Sequence, residues 1–193
     1  SRELAAQAFG RRPRVIKGEM TLYAEPPSRP GTVYLFGGGH VGRALVPILA
    51  MVDFRVVVCD QRPAAASREA LPQAAEVYCL PYEDAFAHLP PVTAEDYVVI
   101  MTPGHEAVLG VRAQPLPPPA RYIGSTGSPR KVAATRNRLL AAGIPASEID
   151  RVWSPIGLPI GGDTPAEIAV SIAAQLIACR SGRLEERGNC HGG

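Results

Sequence analysis

The stretch from Thr32 to Asp60 limits what this chain can fold into. Thr32–Phe36 is a short β-rich run that enters Gly37-Gly38-Gly39-His40-Val41-Gly42. An apolar run to Met51 follows, and Arg55-Val-Val-Val-Cys-Asp60 ends on an acid. Strand, glycine turn, helix, strand and acid, in that order, spell a dinucleotide-binding βαβ unit. Gly37 gives the tight turn, Gly39 lets the backbone approach a pyrophosphate, and Gly42 lets the helix pack closely on the strand. The helix starts near His40, where free N–H groups and the positive dipole end favour an anion. Asp60 ends the second strand, where a carboxylate accepts from ribose hydroxyls. Arg62 is placed to lie over an adenine or to meet a ribose phosphate, which leaves NAD and NADP both open. The bland alternative is a glycine turn kept for packing alone.

The flanking runs extend this to an α/β fold, Rossmann-like, with a mostly parallel β-sheet and helices on both faces. Further strands are expected at 76–80, 96–101, 120–123 and 152–154, with a short helix over 82–89. Pro47 falls inside the first helix and should kink it. Residues 61–74 read as a loop rich in Ala and Pro. Ser128 reads as an N-cap with Pro129 at the first helical position, the helix stopping at Gly143. Arg130 and Lys131 in its first turn oppose the dipole unless an anion binds there. Thr164-Pro165-Ala166-Glu167 reads as a capping box, and Ile168, Ile172 and Leu176 repeat at helical spacing. Another short helix is expected at 108–112.

Residues 1–30 read as an N-terminal extension and linker, 31–180 as the Rossmann-like domain, and 181–193 as a flexible tail. Within the extension, 1–9 suits an amphipathic helix, Arg11–Lys17 a solvated basic linker, and 20–25 an edge strand that leaves room for a homodimer. Pro26–Gly31 is a stiff boundary. The chain starts without Met, so it reads as a fragment or a processed form.

Composition excludes other classes. An apolar fraction of 46% over 193 residues supports a buried core. A net charge of +2 gives no case for nucleic acid, and no apolar run is long enough for a membrane span. The cysteines (Cys59, Cys79, Cys179, Cys190) show no C-x-x-C spacing and read as reduced, which with no signal peptide points to a cytoplasmic protein. Cys190-His191 on a tail is too small a ligand set for a structural metal.

In an open parallel sheet, ligands bind beyond the carboxyl ends of the strands. The loops at 37–42, 102–106, 124–131 and 154–164 leave such ends. They carry His40, Thr102, His105, Glu106, Ser125, Thr126, Ser128, Lys131 and Asp163. No paired carboxylates, Ser-His-Asp order or zinc-ligand spacing accompanies them, so no catalytic apparatus is visible.

The chain resembles the XdhC/CoxI family, accessory proteins of xanthine dehydrogenase and related molybdenum hydroxylases. The resemblance rests on Leu35–Gly42, Asp60–Pro63, Met101–Glu106, Tyr122–Ser128 with Lys131, and Pro155–Val170. It covers residues 20–180 and implies that family's C-terminal Rossmann domain. The family's N-terminal domain is not in this sequence, and residues 1–25 look like its end or the lead-in to this one. The implied function is to bind molybdenum cofactor (molybdopterin, in a plain or a dinucleotide form), protect it during sulfuration by a sulfurase, and deliver it to the hydroxylase. On that reading the cofactor-binding residues are Gly37, Gly38, Gly39, His40, Val41, Gly42, Asp60, Arg62, Thr102, His105, Gly124, Ser125, Ser128 and Lys131. An NAD(P)-dependent oxidoreductase with His105 as proton carrier and a nucleotide-sensing regulatory domain are the rival readings.

Overall fold

The computed structural model describes residues 14–17, 21–24, 31–102 and 120–184. The chain divides into two compact units, Ser1–Pro30 and Gly31–Gly193. The first holds an antiparallel pair, β1 (Arg14–Lys17) and β2 (Thr21–Ala24), with Val15 opposite Tyr23 and Ile16 opposite Leu22. A linker was expected over Arg11–Lys17, but from Arg14 on it is strand. Val15 and Ile16 are β-branched, and a nearby partner strand outweighs the flanking charges. The helix expected at 1–9 and the one expected at 108–112 lie outside the described residues, as does Cys190-His191.

The second unit is the α/β domain. In chain order it runs β3 (Thr32–Phe36), α1 (His40–Met51), β4 (Arg55–Asp60), β5 (Glu76–Cys79), α2 (Ala85–His88) and β6 (Tyr97–Ile100). It continues through β7 (Tyr122–Ser125), α3 (Pro129–Ala141), α4 (Ala146–Asp150), β8 (Val152–Trp153) and α5 (Pro165–Arg180). The sheet order is β5-β4-β3-β6-β7-β8, and every pairing is parallel. This is the doubly wound order in which the first strand stands mid-sheet.

Both faces of the sheet are covered, which is why its strands read as continuous apolar runs rather than alternating ones. Val33, Leu35, Val56, Val58, Tyr97 and Val99 pack with Leu45, Val46 and Leu49 of α1 and Ala169, Ile172 and Leu176 of α5. Their chain neighbours Tyr34, Phe36, Val57, Cys59, Val98 and Ile100 face the other way, toward Ala85, Leu139 and Ile149. Pro47 stays within α1. The carbonyl it leaves without an N–H partner is that of Arg43, an exposed residue, and the apolar face of the helix carries the packing.

The expected caps form. Ser128 Oγ accepts from the Lys131 N–H at 3.4 Å, with Pro129 opening α3. At α5, Thr164 Oγ1 accepts from Glu167 N at 3.2 Å while Glu167 Oε2 accepts from Thr164 N at 2.9 Å. Most boundaries shift by one to three residues, and two elements depart further from expectation. β7 begins two residues later than 120 and runs on through Gly124 and Ser125, because these pair with Val99 and Ile100 of β6. Helix α4 was not expected, having Pro145 at its N-cap and no side-chain cap. It is held instead by burial of Ile149.

Candidate functional site

β3 connects to β4 on one side of the sheet, and β6 lies on the other, so the chain leaving Phe36 enters the crevice at the switch point. Gly37 sits there with φ +119° and its N–H on the Cys59 carbonyl at 2.9 Å. A side chain at that φ is strained, and a Cβ would also lie 2.9 Å from the Met101 carbonyl oxygen. Gly42 closes the other end of the turn: a Cβ on it would stand 2.2 Å from the Gly37 oxygen. Gly39 differs. A Cβ there would meet only Arg62 Nη2, at 3.7 Å. Gly39 is the N-cap of α1, whose first turn has neither a capping side chain nor an acid. The positive end of α1 is therefore uncompensated by its own residues and has open space in front of it.

That space is a cleft of about 430 Å³. The glycine turn, His40 and Val41 form one wall; Met101, Thr126 and Gly127 form another; Pro155, Ile156 and Ile168 close it. Three of the four loops picked out by sequence thus meet here, with the last residue before the fourth, Met101. Next to Met101 in the chain, outside the lining of the cleft, the Thr102 hydroxyl is buried and has no hydrogen-bond partner among the described residues.

The closing wall is held by α5. Buried Gln175 accepts from the Tyr122 hydroxyl and from Gly157 N, both at 2.6 Å. Ser171 Oγ donates to the Leu158 carbonyl at 2.6 Å. Gln175→Leu keeps the volume but removes both bonds, and should cost about 2 kcal/mol. Thermal unfolding is expected ~4–8 °C below wild type; an unchanged midpoint would show that the loop is held otherwise.

Asp60 is fully buried, directly behind the turn. Its Oδ2 accepts from Gly38 N at 2.9 Å and Arg62 Nη2 at 2.7 Å. Its Oδ1 accepts from Arg62 N and Nε, each at 2.9 Å. Burial pushes this carboxyl up, but the Arg62 and Gly38 hydrogen bonds and the guanidinium charge outweigh it and leave Asp60 below the ordinary range. A folded value below the unfolded one means that ionised Asp60 stabilises the fold above about pH 3.9, and that this is lost as pH falls through the lower folded value. Asp60→Asn should lose about 2 kcal/mol at pH 7 and progressively less in acid. Urea unfolding at pH 7 and near pH 3 checks this; an equal gap at both would remove the charge from the account.

The remaining sequence candidates separate. Gly37, Gly39, His40, Val41 and Gly42 line the cleft. Gly38 is buried against the next loop, where a Cβ would stand 2.2 Å from the Ala65 oxygen. Gly124 is a packing glycine: a Cβ on it would meet Ile156 Cδ1 and the Tyr122 hydroxyl, both at 2.6 Å. Ser125 is buried and donates to the Thr126 carbonyl at 3.3 Å. Ser128 is spent on its cap, and Lys131 is exposed; neither lines the cleft. His105 and Glu106 lie outside the described residues. Sequence reasoning left Met101, Gly127, Ile156 and Ile168 unassigned; the apolar residues inside a glycine-rich loop were the available signal.

Residues 33–176 match the model of the XdhC Rossmann domain. The chain belongs to the XdhC family. It is 30% identical over 146 residues to a Bacillus subtilis protein named as a probable subunit of xanthine dehydrogenase, covering 76% of this chain and 42% of that protein. It is 26% identical over 166 residues to the uncharacterized protein YqeB of Escherichia coli K12, covering 85% of this chain and 30% of that one. A crystal structure of a xanthine dehydrogenase from Bacillus halodurans superposes with a TM-score of 0.65 at 29% identity, over 88% of this chain and 47% of the other. This XdhC chain thus spans less than half the length of each of these relatives. Among its described residues no helix is long and apolar enough to cross a membrane.

Proposed function

We propose that this XdhC chain is an accessory protein of the xanthine dehydrogenase system that binds molybdenum cofactor and delivers it to a molybdenum hydroxylase. The observation that carries the reading is the cleft at the glycine turn. It combines an open, uncompensated helix N-terminus with apolar walls. Those parts fit a group with a phosphate at one end and a flat heterocycle at the other. The cofactor would supply a molybdenum-bearing pterin with such a phosphate.

Within this reading the Gly38 N–H is already committed to Asp60, so the phosphate falls to the backbone N–H groups from Gly39 onward. His40, exposed at the mouth of the cleft, adds a side-chain hydrogen bond. Ile156 and Ile168 offer an apolar surface to the ring. A hydroxylase and a sulfurase are the partners this activity requires.

The test is anaerobic equilibrium dialysis of the protein against molybdenum cofactor, followed by mixing with a cofactor-free hydroxylase. Retention of the pterin and its transfer, seen as recovered hydroxylase activity, are the expected results. Retention of NADH or NADPH with no pterin held would overturn the reading in favour of a nicotinamide enzyme.

A further inference from the structure

We infer that Arg62, locked on Asp60, closes the ribose subsite of this fold and makes the glycine turn a site for a terminal phosphomonoester. The inference rests on the cofactor-binding reading above and narrows it. Plain molybdopterin is then taken in preference to its nucleotide-extended form and to NAD(P)H.

The acid that ends the second strand normally serves by offering free oxygens to ribose hydroxyls. Asp60 has none to offer. It is fully buried, and its two oxygens already accept four hydrogen bonds, one from Gly38 N and three from Arg62. A carboxylate has about four lone-pair sites, so the group is saturated. A ribose would have to displace a bidentate, charge-assisted fork from a buried partner, among the stronger side-chain contacts available.

The same guanidinium has a second aspect. Asp60 uses two of its N–H donors, Nε and Nη2, out of the five that a guanidinium carries. The side chain is still 52% exposed. Nη2 stands 3.7 Å from where a Cβ on Gly39 would be, beside the open end of α1. Arg62 thus adds a fixed positive charge to a helix N-terminus, a combination suited to a dianionic phosphate. A phosphate in mid-chain, with a ribose beyond it, has no exit on the Asp60 side because the guanidinium occupies that route.

The experiment compares dissociation constants, measured anaerobically by calorimetry, for molybdopterin, its dinucleotide form, ADP-ribose and NADPH. Wild type should hold the plain form at least ~10-fold more tightly than the dinucleotide form, the worth of one charged hydrogen bond. It should not retain ADP-ribose or NADPH at millimolar concentration. Arg62→Ala should weaken the plain form ~10–100-fold and let ADP-ribose bind. Should that variant fail to fold, the wild-type ratio decides alone. A dinucleotide form held as tightly as the plain one would overturn the selectivity and leave the cofactor-binding reading standing. Wild type that holds neither form would overturn both.

Discussion

Gly42→Val should unfold this domain or bring it close to unfolding. A Cβ at Gly42 would stand 2.2 Å from the Gly37 carbonyl oxygen and 3.7 Å from Leu35 Cδ2. The oxygen has nowhere to go. Gly37 is held by its N–H on the Cys59 carbonyl, at 2.9 Å, and by its close approach to Met101. Relief requires α1 to lift off β3. Leu45, Val46 and Leu49, all fully buried, sit on that same helix and would be drawn from the core with it. Overpacking usually costs about 1–3 kcal/mol, and a clash between backbone atoms with no soft side chain to yield belongs above that range, at about 3–5 kcal/mol. Native stability is only about 5–15 kcal/mol, so little would remain. Circular dichroism should show a midpoint at least ~8 °C lower, or no folded protein. Gly42→Ala should move the same way by less. A Val variant melting with wild type would mean that helix and turn do not touch as described.

The glycine motif is legible in sequence because each glycine answers a local demand. Gly37 needs a positive φ, and Gly42 needs close approach. The caps are legible for the same reason: Ser128 with Pro129, and Thr164 with Glu167, are short-range arrangements whose partners lie within three residues. The strands follow from apolar runs separated by helical segments, the pattern that a sheet covered on both faces produces.

Contacts set by distant chain are not legible in this way. Asp60 reads as a ribose acceptor from its position, but the Gly38 N–H, 22 residues back, already takes one of its oxygens, and Arg62, only two residues on, is free to fold over it because the glycine turn stands there. The Ala- and Pro-rich run at 61–74 reads only as a loop. It lies against the glycine turn, with the Ala65 carbonyl at Gly38 and Leu71 fully buried. Gly124 looks like a ligand glycine because it follows a strand, and it is small because Tyr122 and Ile156 fill its space. In each case the residue type is informative and the cause is three-dimensional.

Gly39→Asp should separate ligand binding from folding, with the opposite profile to Gly42→Val. The backbone at Gly39 has φ −73° in the extended region, which any residue adopts without strain. A Cβ there meets only the Arg62 guanidinium, at ordinary contact distance. Aspartate is also a preferred N-cap, and α1 has no capping side chain, so stability should hold or rise by up to about 1 kcal/mol. The new carboxylate would occupy the mouth of the helix, cancel its positive end and pair with Arg62. A phosphate would then lose its hydrogen bonds and face a like charge. Each lost charge-assisted bond is worth about 1.5–3 kcal/mol, so two put the drop in cofactor affinity at ~100-fold or more. Melting and dialysis on the same preparation decide between the outcomes. A midpoint at or above wild type with binding abolished places the anion at the turn. Full binding with a normal midpoint moves the cofactor elsewhere in the cleft, toward Thr126 and Gly127, and leaves the glycine turn a packing device.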